Sequence, residues 1–306
     1  MKIGIVGAGG VGGFLGARLA AAGVEVGILG RGAHLAAIRE QGLRLESPSG
    51  DLAVQPAAAS DRASEIGPVD VVLCAVKLYD LEAAARALGP MLGETTGVVT
   101  LQNGVEAPES VAGVVGRQHV LGGVAQIAAM VGEPGLIRQT GTMARFSIGE
   151  LDGPRSERLG ALGEALTSAK VEHELSTDIR RAIWAKMVFL AGFSGMTALV
   201  RLPIGPIRED PETRAMLRAS FEEALGIAAA EGVDFGPGAA DERLRMVDRL
   251  PAEMRSSLLD DLERGRRLEL PWLSGAIGRL GRRHGITTPI HDMITTALKL
   301  HVDGRL

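Results

Sequence analysis

Short hydrophobic runs alternate with helical periodicity through the first half of the chain. Ile3–Val6 is an apolar run ended by Gly7, and the next stretch, Val11–Ala22, has the pattern of a helix. Gly23 ends that helix and Val24–Leu29 is a second apolar run. Because buried parallel strands are joined by helices, residues 1–29 predict a β-α-β unit.

The same alternation continues to residue 175. Further strands are predicted over Val69–Ala75, Gly97–Leu101, Val120–Ala128 and Val171–Leu175, with a helix over Arg155–Ala169. Leu43–Leu45 and Leu52–Val54 flank a Ser-Pro-Ser-Gly-Asp turn and predict a hairpin. Leu136–Gln139 and Ala144–Ile148 predict an antiparallel edge of the sheet, whereas Ala57–Ala63 stands out only as alanine-rich.

The pattern changes after Ser176 from strands to helices. Ser176 or Thr177 can cap a long helix that begins near Asp178. Further helices are predicted over Pro211–Glu231, Asp241–Leu250, Ala252–Glu263, Leu273–His284 and Pro289–Val302. We therefore expect two domains, an α/β domain over residues 1–175 and an all-helical domain over residues 176–306.

Composition excludes several classes of protein. The net charge is −4 with no run of basic residues, so neither nucleic acid nor an anionic membrane is an expected partner. Cys74 is the one cysteine, which leaves no internal disulfide and suits a reducing compartment. The start of the chain does not resemble a signal peptide, and no apolar run is long enough for a membrane span, so we expect a cytoplasmic protein. The six histidines show no metal-ligand spacing, and no metal is expected.

A glycine-rich loop joins the first strand to the first helix. Its residues Gly7, Ala8, Gly9, Gly10, Val11 and Gly12 fit the pattern G-x-G-x-x-G. In a dinucleotide-binding loop the first glycine makes a tight turn, the second admits the pyrophosphate and the third lets helix and strand approach. A structural glycine turn is the alternative. The strand–loop–helix context favours a Rossmann domain that binds its cofactor here, at the N-terminus of the helix.

The end of the second strand indicates which dinucleotide binds. Enzymes that use NAD place Asp or Glu there for the ribose 2′-hydroxyl, but this chain has Leu29-Gly30-Arg31-Gly32. A guanidinium can pair bidentately with a 2′-phosphate, so we expect NADP(H). A solvated surface arginine is the alternative for Arg31.

A lysine interrupts the apolar stripe of the helix that begins near Asp178. Ile179, Ile183 and Leu190 recur at helical spacing, and Lys186 lies among them. Such a lysine either extends its ammonium to the edge of a cleft or is held there for chemistry. Partial desolvation would lower its pKa toward a value that suits proton transfer.

Taken together, these segments resemble the ketopantoate reductase (2-dehydropantoate 2-reductase) family over nearly the whole chain. Besides the glycine loop and Arg31, the resemblance rests on Cys74–Lys77, Leu101–Glu106, Ile183–Lys186, Ser256–Asp261 and Glu269. It implies a Rossmann domain, an all-helical C-terminal domain and a cleft between them. It also implies NADPH-dependent reduction of a 2-keto acid to a 2-hydroxy acid, with Lys186 as general acid.

The same resemblance implies roles for four other residues. Glu269 would interact with the substrate hydroxyl and the catalytic lysine, and a surface pair with nearby arginines is its alternative. Lys77 would lie near the cofactor ribose and the substrate, and Asn103 would hold the nicotinamide ribose and Lys186. Ordinary loop positions are the alternatives for both. Ser257 would contact the substrate carboxylate.

The chain departs from the family where that family presents asparagines to its substrate. Leu190, Ser194, Ile204 and Met254 stand at such positions, and Pro271 replaces an aspartate. Ser194 is kept as a candidate substrate contact. Fewer amides should weaken recognition of a hydroxylated keto acid.

Three functions therefore stay open at this point. The first is reduction of 2-dehydropantoate to pantoate. The second is a related NADP-dependent reductase or dehydrogenase acting on another compound, such as a more apolar 2-keto acid, a larger 2-hydroxy acid or an opine-like molecule. The third is a non-catalytic NADP(H) sensor, which would need the glycines and Arg31 but no proton donor. The expected partners are a small 2-keto acid and, for a homodimer, a second copy of the chain.

Overall fold

A computed structural model describes residues 1–304 of the chain in two compact units. Unit 1 comprises Met1–Gln102 and Glu106–Ala182, and unit 2 comprises Asn103–Val105 and the chain from Ile183 onward. The last two residues of the predicted second domain, 305 and 306, lie outside the described part. The units divide within a continuous helix, a few residues after the start of that helix, where the sequence pattern changes.

Unit 1 is built on one large sheet. Its strands are β1 Lys2–Val6, β2 Glu25–Leu29, β3 Leu43–Glu46, β4 Leu52–Val54, β5 Ala58–Ser60, β6 Val69–Cys74, β7 Leu92–Thr100, β8 Val120–Glu133, β9 Leu136–Glu150 and β10 Glu172–Leu175. They are arranged in the order β4-β3-β9-β8-β7-β6-β1-β2-β5, with β10 also paired to β9. β1 lies between β2 and β6 and is parallel to both, which confirms the predicted β-α-β arrangement.

The helices of unit 1 cover a sheet whose central strands are mainly apolar and largely buried. They are α1 Gly10–Ala21, α2 Gly32–Gln41, α3 Ala63–Ile66, α4 Leu81–Ala87, α5 Ala107–Val115 and α6 Glu157–Ser168. Ile3 and Ile5 of β1 and Leu73 of β6 have no exposed surface. Strands buried on both faces carry continuous rather than alternating hydrophobic residues, which is why short apolar runs predicted them correctly.

Two pairings in the sheet differ from the sequence prediction, and β7 and β8 are both longer than predicted. The predicted antiparallel edge is a single strand, β9, which pairs antiparallel with β8 but lies inside the sheet because β3 and β10 pair with it as well. The alanine-rich segment contains β5, which pairs in parallel with β2. A three-residue strand of small side chains has no apolar pattern of its own, so its neighbour decides its conformation.

Unit 2 is all-helical over residues 183–304, as the periodicity predicted. Its helices are α7 Ile179–Val200, α8 Ile204–Glu209, α9 Pro211–Ala230, α10 Ala239–Asp248, α11 Ser257–Glu263, α12 Ser274–His284 and α13 Pro289–Leu298. The short α8 was not predicted. α11 begins later than expected because Ser256 caps it and accepts a hydrogen bond from the Leu259 amide at 3.1 Å.

The long helix α7 forms much of the core of unit 2. Asp178, rather than Ser176 or Thr177, caps it by accepting a hydrogen bond from the Arg181 amide at 3.0 Å. Met187, Val188 and Ala191 of α7 are fully buried. By length and composition α7 could cross a membrane, but 67% of its most apolar stretch is buried within the protein, as in the core helix of a folded domain.

Candidate active site

The glycine loop makes its turn where no side chain could fit. Gly7 has φ +89°, and a Cβ on it would lie 2.7 Å from Val76 Cγ1 and 2.9 Å from Val76 N. A Cβ on Gly12 would lie 2.1 Å from the carbonyl oxygen of Gly7, because α1 approaches β1 closely there. Gly9 differs, since a Cβ on it would meet nothing within 4 Å. The loop therefore leaves open space at Gly9, where a pyrophosphate would approach.

Gly10 has a packing role that the motif did not indicate. A Cβ on Gly10 would lie 2.0 Å from the carbonyl oxygen of Ala129 in β8. The same strand pair restricts Gly13, where a Cβ would lie 2.5 Å from Ile137 Cγ1. Since β8 and β9 come from far along the chain, only the tertiary structure shows why these two positions are glycine.

A cleft of about 430 Å³ opens beside the loop in unit 1. Among the residues that line it are Gly7, Ala8, Gly9, Gly30, Arg31, His34, Asp61, Lys77 and Asp80. Of the predicted cofactor residues, it contains Gly7, Ala8, Gly9, Arg31 and Lys77. Gly10, Val11 and Gly12 instead form the first turn of α1, and Asn103 belongs to unit 2.

Arg31 follows β2 directly and stands at the rim of this cleft. Its side chain is 80% exposed, and Nη2 donates a hydrogen bond to Asp80 Oδ2 at 2.6 Å. The guanidinium is thus accessible to a ligand while one of its nitrogens is held. The sequence predicted Arg31 at this place but did not single out Asp80.

His34 in α2 is a second cleft residue that sequence reasoning missed. The Gly135 amide donates to its Nδ1 at 3.0 Å, so the proton is on Nε2, which donates to the carbonyl oxygen of Ala8 at 2.8 Å. Burial lowers the pKa of His34, and this favours the neutral ring. His34 therefore ties the glycine loop to the β8–β9 turn, through contacts that no local motif could reveal.

Gln102 holds the segment that carries Lys77. Its Nε2 donates to the carbonyl oxygens of Cys74 at 3.0 Å and Val76 at 3.2 Å. Lys77 itself is exposed. Cys74 is fully buried, and burial raises the pKa of its thiol to about 11, so it stays protonated as expected of a core residue.

The electrostatics of unit 2 centre on Lys186 in α7 and Glu269. Burial lowers the pKa of Lys186 to about 8, while the negative charge of Glu269 raises that pKa and partly opposes the effect of burial. Glu269 is only 6% exposed. Lys186 is partly buried in α7, a position that fits either a lysine at the edge of a cleft or one held for chemistry. An amine with this pKa can give or accept a proton near neutral pH.

Asn103 is grouped with these two residues in unit 2. Residues 103–105 belong to unit 2 although the chain on both sides of them belongs to unit 1. Val105 packs against the hydrophobic core of the helices. Gly104, between Asn103 and Val105 in the sequence, has φ +91°. The same unit therefore holds Asn103, Lys186 and Glu269.

The candidate substrate residues lie on two helices of unit 2. Ser194 is 2% exposed and lies two turns after Lys186 on α7, whereas Ser257 is exposed at the start of α11. Ser256 caps α11, and its hydroxyl oxygen lies 2.7 Å from the hydroxyl oxygen of Thr197, within hydrogen-bond distance. Sequence reasoning missed Thr197, which joins α7 to the first turn that carries Ser257.

The four positions that depart from the family pattern have different surroundings. Leu190 lies one turn after Lys186 and packs against the core, in line with Ser194. Ile204 has no exposed surface and belongs to the core of unit 2, while Met254 is 37% exposed. Ile204 is therefore a packing residue, and of the four positions Leu190 is the one that follows Lys186 by a single helical turn.

Comparison with protein families covers most of the chain. Residues 3–153 match the family described as Ketopantoate reductase PanE/ApbA, and residues 178–302 match its C-terminal domain. The 2-dehydropantoate 2-reductase of Mesorhizobium japonicum is 37% identical, over 98% of this chain and 97% of the relative. That of Halobacterium salinarum is 32% identical, over 98% of both chains.

Solved structures share the same architecture. The PanE/ApbA family ketopantoate reductase from Ralstonia eutropha JMP134 superposes with a TM-score of 0.90 at 33% identity, covering 99% of this chain and 98% of the other. The similarity thus extends over both units. With the glycine loop in one unit and the partly buried lysine in the other, this full-length similarity makes the chain a member of the ketopantoate reductase family.

Proposed function

We propose that the protein reduces a 2-keto acid to a 2-hydroxy acid with NADPH, and that 2-dehydropantoate, reduced to pantoate, is the first candidate substrate. The observation that carries the proposal is the environment of Lys186. Burial lowers its pKa to about 8, and the negative charge of Glu269 partly opposes that effect. A protein that only sensed NADP(H) would need no such proton donor. The names of the relatives in Mesorhizobium japonicum and Halobacterium salinarum support the substrate.

The cleft of unit 1 suits a nicotinamide dinucleotide. Its volume is in the range of cofactor sites, the space at Gly9 is open, and α1 begins there with its positive dipole end. The exposed guanidinium of Arg31 can bind a 2′-phosphate, which favours NADPH. Bound NADPH supplies the hydride that reduces the keto carbon.

Lys186 has two tasks in the proposed reaction. Its ammonium donates a proton to the carbonyl oxygen of the substrate, and its positive charge stabilises negative charge that develops on that oxygen. After transfer the neutral amine takes a proton from water, which its pKa of about 8 allows near neutral pH. Glu269 favours the charged form of Lys186 and so keeps the proton donor protonated.

The remaining residues bind and orient. Ser257 offers an exposed hydroxyl at the first turn of α11, and it is assigned to the substrate carboxylate. Asn103 is assigned to the nicotinamide ribose and Lys186, and Lys77 to the cofactor ribose. Ser194 is assigned to the substrate.

The test is an enzyme assay with NADPH and a panel of 2-keto acids. Turnover is measured as the loss of absorbance of the reduced nicotinamide. We expect turnover of 2-dehydropantoate with formation of pantoate, identified by chromatography. Turnover of none of the acids, together with NADPH binding in a direct titration, would contradict an enzyme and favour the sensor.

A second candidate is a keto acid with an unhydroxylated alkyl chain. Leu190 follows Lys186 by one turn on α7, at a position where the family presents an asparagine, so the amide that would bind a substrate hydroxyl is replaced by an alkyl group. Each buried methylene gains about 0.8 kcal/mol, and a substrate hydroxyl without a partner costs about 1–3 kcal/mol. A tenfold higher kcat/KM for a branched alkyl 2-keto acid than for 2-dehydropantoate would establish this alternative.

A further inference from the structure

We propose that Asp80 sets the cofactor preference of this protein, by weakening the preference for NADPH and supplying a partner for NADH. The inference rests on the nicotinamide cofactor of the proposed function and extends it to a residue on the wall of the cleft. Asp80 would make this a site of dual specificity, in which Arg31 and a carboxylate stand together at the ribose of the adenosine.

The carboxylate of Asp80 is directed toward Arg31 rather than toward its own helix. Asp80 ends a 3₁₀ turn, Leu78–Asp80, and occupies the N-cap position of α4. Aspartate in this position commonly accepts hydrogen bonds from the first backbone amides, but the described part of the chain shows no such cap bond here. Asp80 Oδ2 instead accepts from Arg31 Nη2 at 2.6 Å.

The two partners differ in how firmly the protein surrounds them. The side chain of Asp80 is 29% exposed, whereas that of Arg31 is 80% exposed. The carboxylate is therefore the better fixed of the two charges, and the arginine reaches across to it from the end of β2. Both residues line the cleft that contains Gly7 and Gly9.

A second carboxylate on the cleft wall provides an internal comparison. Asp61 also lines the cleft, but it lies 3.4 Å from Arg39 Nη2, and its side chain is 62% exposed. Arg39 is not among the cleft residues. Of these two cleft aspartates, it is Asp80 that contacts the arginine assigned to the 2′-phosphate.

Opposite effects on the two cofactors follow from this geometry. A guanidinium has five N–H donors, so Arg31 can bind a phosphate while it keeps Asp80, but a phosphate dianion then lies close to a carboxylate and is repelled. NADH carries a 2′-hydroxyl at the same place, and a carboxylate accepts a hydrogen bond from it, as Asp or Glu does in NAD enzymes. Asp80 therefore supplies the acceptor that the end of β2 lacks.

The experiment is a direct titration of wild-type protein and the Asp80→Asn variant with NADPH and with NADH, by calorimetry and without keto acid. We expect Asp80→Asn to bind NADPH about three- to tenfold more tightly and NADH about three- to tenfold more weakly. The ratio of the two Kd values should change by about ten- to a hundredfold. Asp152→Asn is the matched control, because this exposed aspartate of unit 1 also pairs with an arginine, Arg117, but does not line the cleft. It should change the ratio by less than about twofold.

A double variant separates repulsion from positioning of the arginine. In an Arg31→Ala background, Asp80→Asn should still tighten NADPH binding, because the carboxylate repels the phosphate whether or not Arg31 is present. Weaker NADPH binding by Asp80→Asn, or an unchanged ratio, would overturn the inference, since Asp80 would then only hold Arg31 in place or do nothing.

The titration also distinguishes this inference from the proposed reaction. Tight cofactor binding with the expected change of ratio but no turnover of any keto acid would contradict the reaction and leave the role of Asp80 intact. A wild-type chain that bound neither dinucleotide would overturn the inference together with the cofactor assignment.

Discussion

The glycine loop of unit 1 and the lysine site of unit 2 are candidate sites for different physical reasons. The case for the loop rests on backbone conformation and empty space, at residues that are neighbours in sequence. The case for the lysine site rests on burial and charge, with Glu269 far from Lys186 along the chain. A site formed by the backbone of consecutive residues is visible in the sequence as a local motif. A site formed by burial is visible only as a charged residue within an apolar stripe.

The two sites should therefore fail in different ways when single residues change. In the loop an added methyl group fills space, so its effect depends on which glycine is replaced and on which atoms surround that glycine. In the lysine site the removal of one charge acts on protonation, and its effect depends on pH. Five experiments would test this contrast.

The largest expected effect is that of Lys186→Ala on turnover. Loss of the general acid should lower kcat by about 10²–10⁴-fold while NADPH binding stays near the wild-type value. Steady-state rates and a cofactor titration measure the two quantities. Lys299→Ala, an exposed lysine of the same unit, is the control. Near-normal turnover of Lys186→Ala would remove the lysine from the mechanism.

The second effect concerns a buried histidine of unit 2, which is a test of burial at a second titratable group. His291 is fully buried, its Nε2 donates to the Ser220 carbonyl oxygen at 3.0 Å, and its Nδ1 has no partner among the described residues. Burial lowers its pKa from 6.5 to about 4, so the folded state binds fewer protons than the unfolded state. This contribution is present above pH 6.5 and is lost as the pH falls toward 4.

Stability measured by denaturant should accordingly fall by about 3 kcal/mol across that interval on account of His291. In His291→Gln the glutamine amide can still donate to the Ser220 carbonyl, and this part of the pH dependence should disappear. An equally steep decline in the variant would assign the acid sensitivity to other groups.

The third experiment compares two glycines of the loop. Gly12→Ala places a Cβ 2.1 Å from a backbone oxygen and should destabilise the fold by about 1–3 kcal/mol. Gly9→Ala meets no atom within 4 Å and should fold normally, yet it should weaken binding of both dinucleotides, because the methyl group stands where the pyrophosphate approaches. Thermal unfolding measures the stability of each variant, and cofactor titration measures its affinity for the dinucleotides. Equal stability of the two variants would show that α1 can move away from β1.

The fourth experiment uses Glu269→Gln to separate charge from burial. Without the carboxylate, burial acts unopposed, and the pKa of Lys186 should fall further below 8. The pH at which kcat/KM for reduction begins to decline should shift down by about 0.5–1 unit. Glu263→Gln, at an exposed residue, should leave the profile in place. A shift to higher pH would contradict the assigned interaction.

The smallest expected effect belongs to His34. His34→Ala removes the hydrogen bond to the Ala8 carbonyl and the acceptor for the Gly135 amide. Because these contacts hold the loop and not the 2′-phosphate, binding of NADPH and NADH should weaken equally, by about three- to tenfold. Arg31→Ala should instead weaken NADPH far more than NADH. A selective loss of NADPH in His34→Ala would mean that His34 contacts the phosphate itself.

Several features could be predicted because they are local. Apolar runs predicted the parallel strands, helical periodicity predicted most helices of unit 2, and the glycine loop was identified from its position between strand and helix. Lys186 stood out because a lysine interrupts an apolar stripe. The predicted edge position of β9 and the missed strand β5 were errors of another kind, since pairing partners decide both.

The sequence by itself thus determined the type of each long element, the backbone turn at Gly7 and the presence of a candidate proton donor, because each depends on residues a few positions apart. The tertiary structure alone decided the contact of Asp80 with Arg31, the tether from His34 to Ala8 and the burial that lowers the pKa of Lys186. The physical reason is that hydrogen bonds and desolvation depend on which atoms meet in space, and the partners here come from distant parts of the chain.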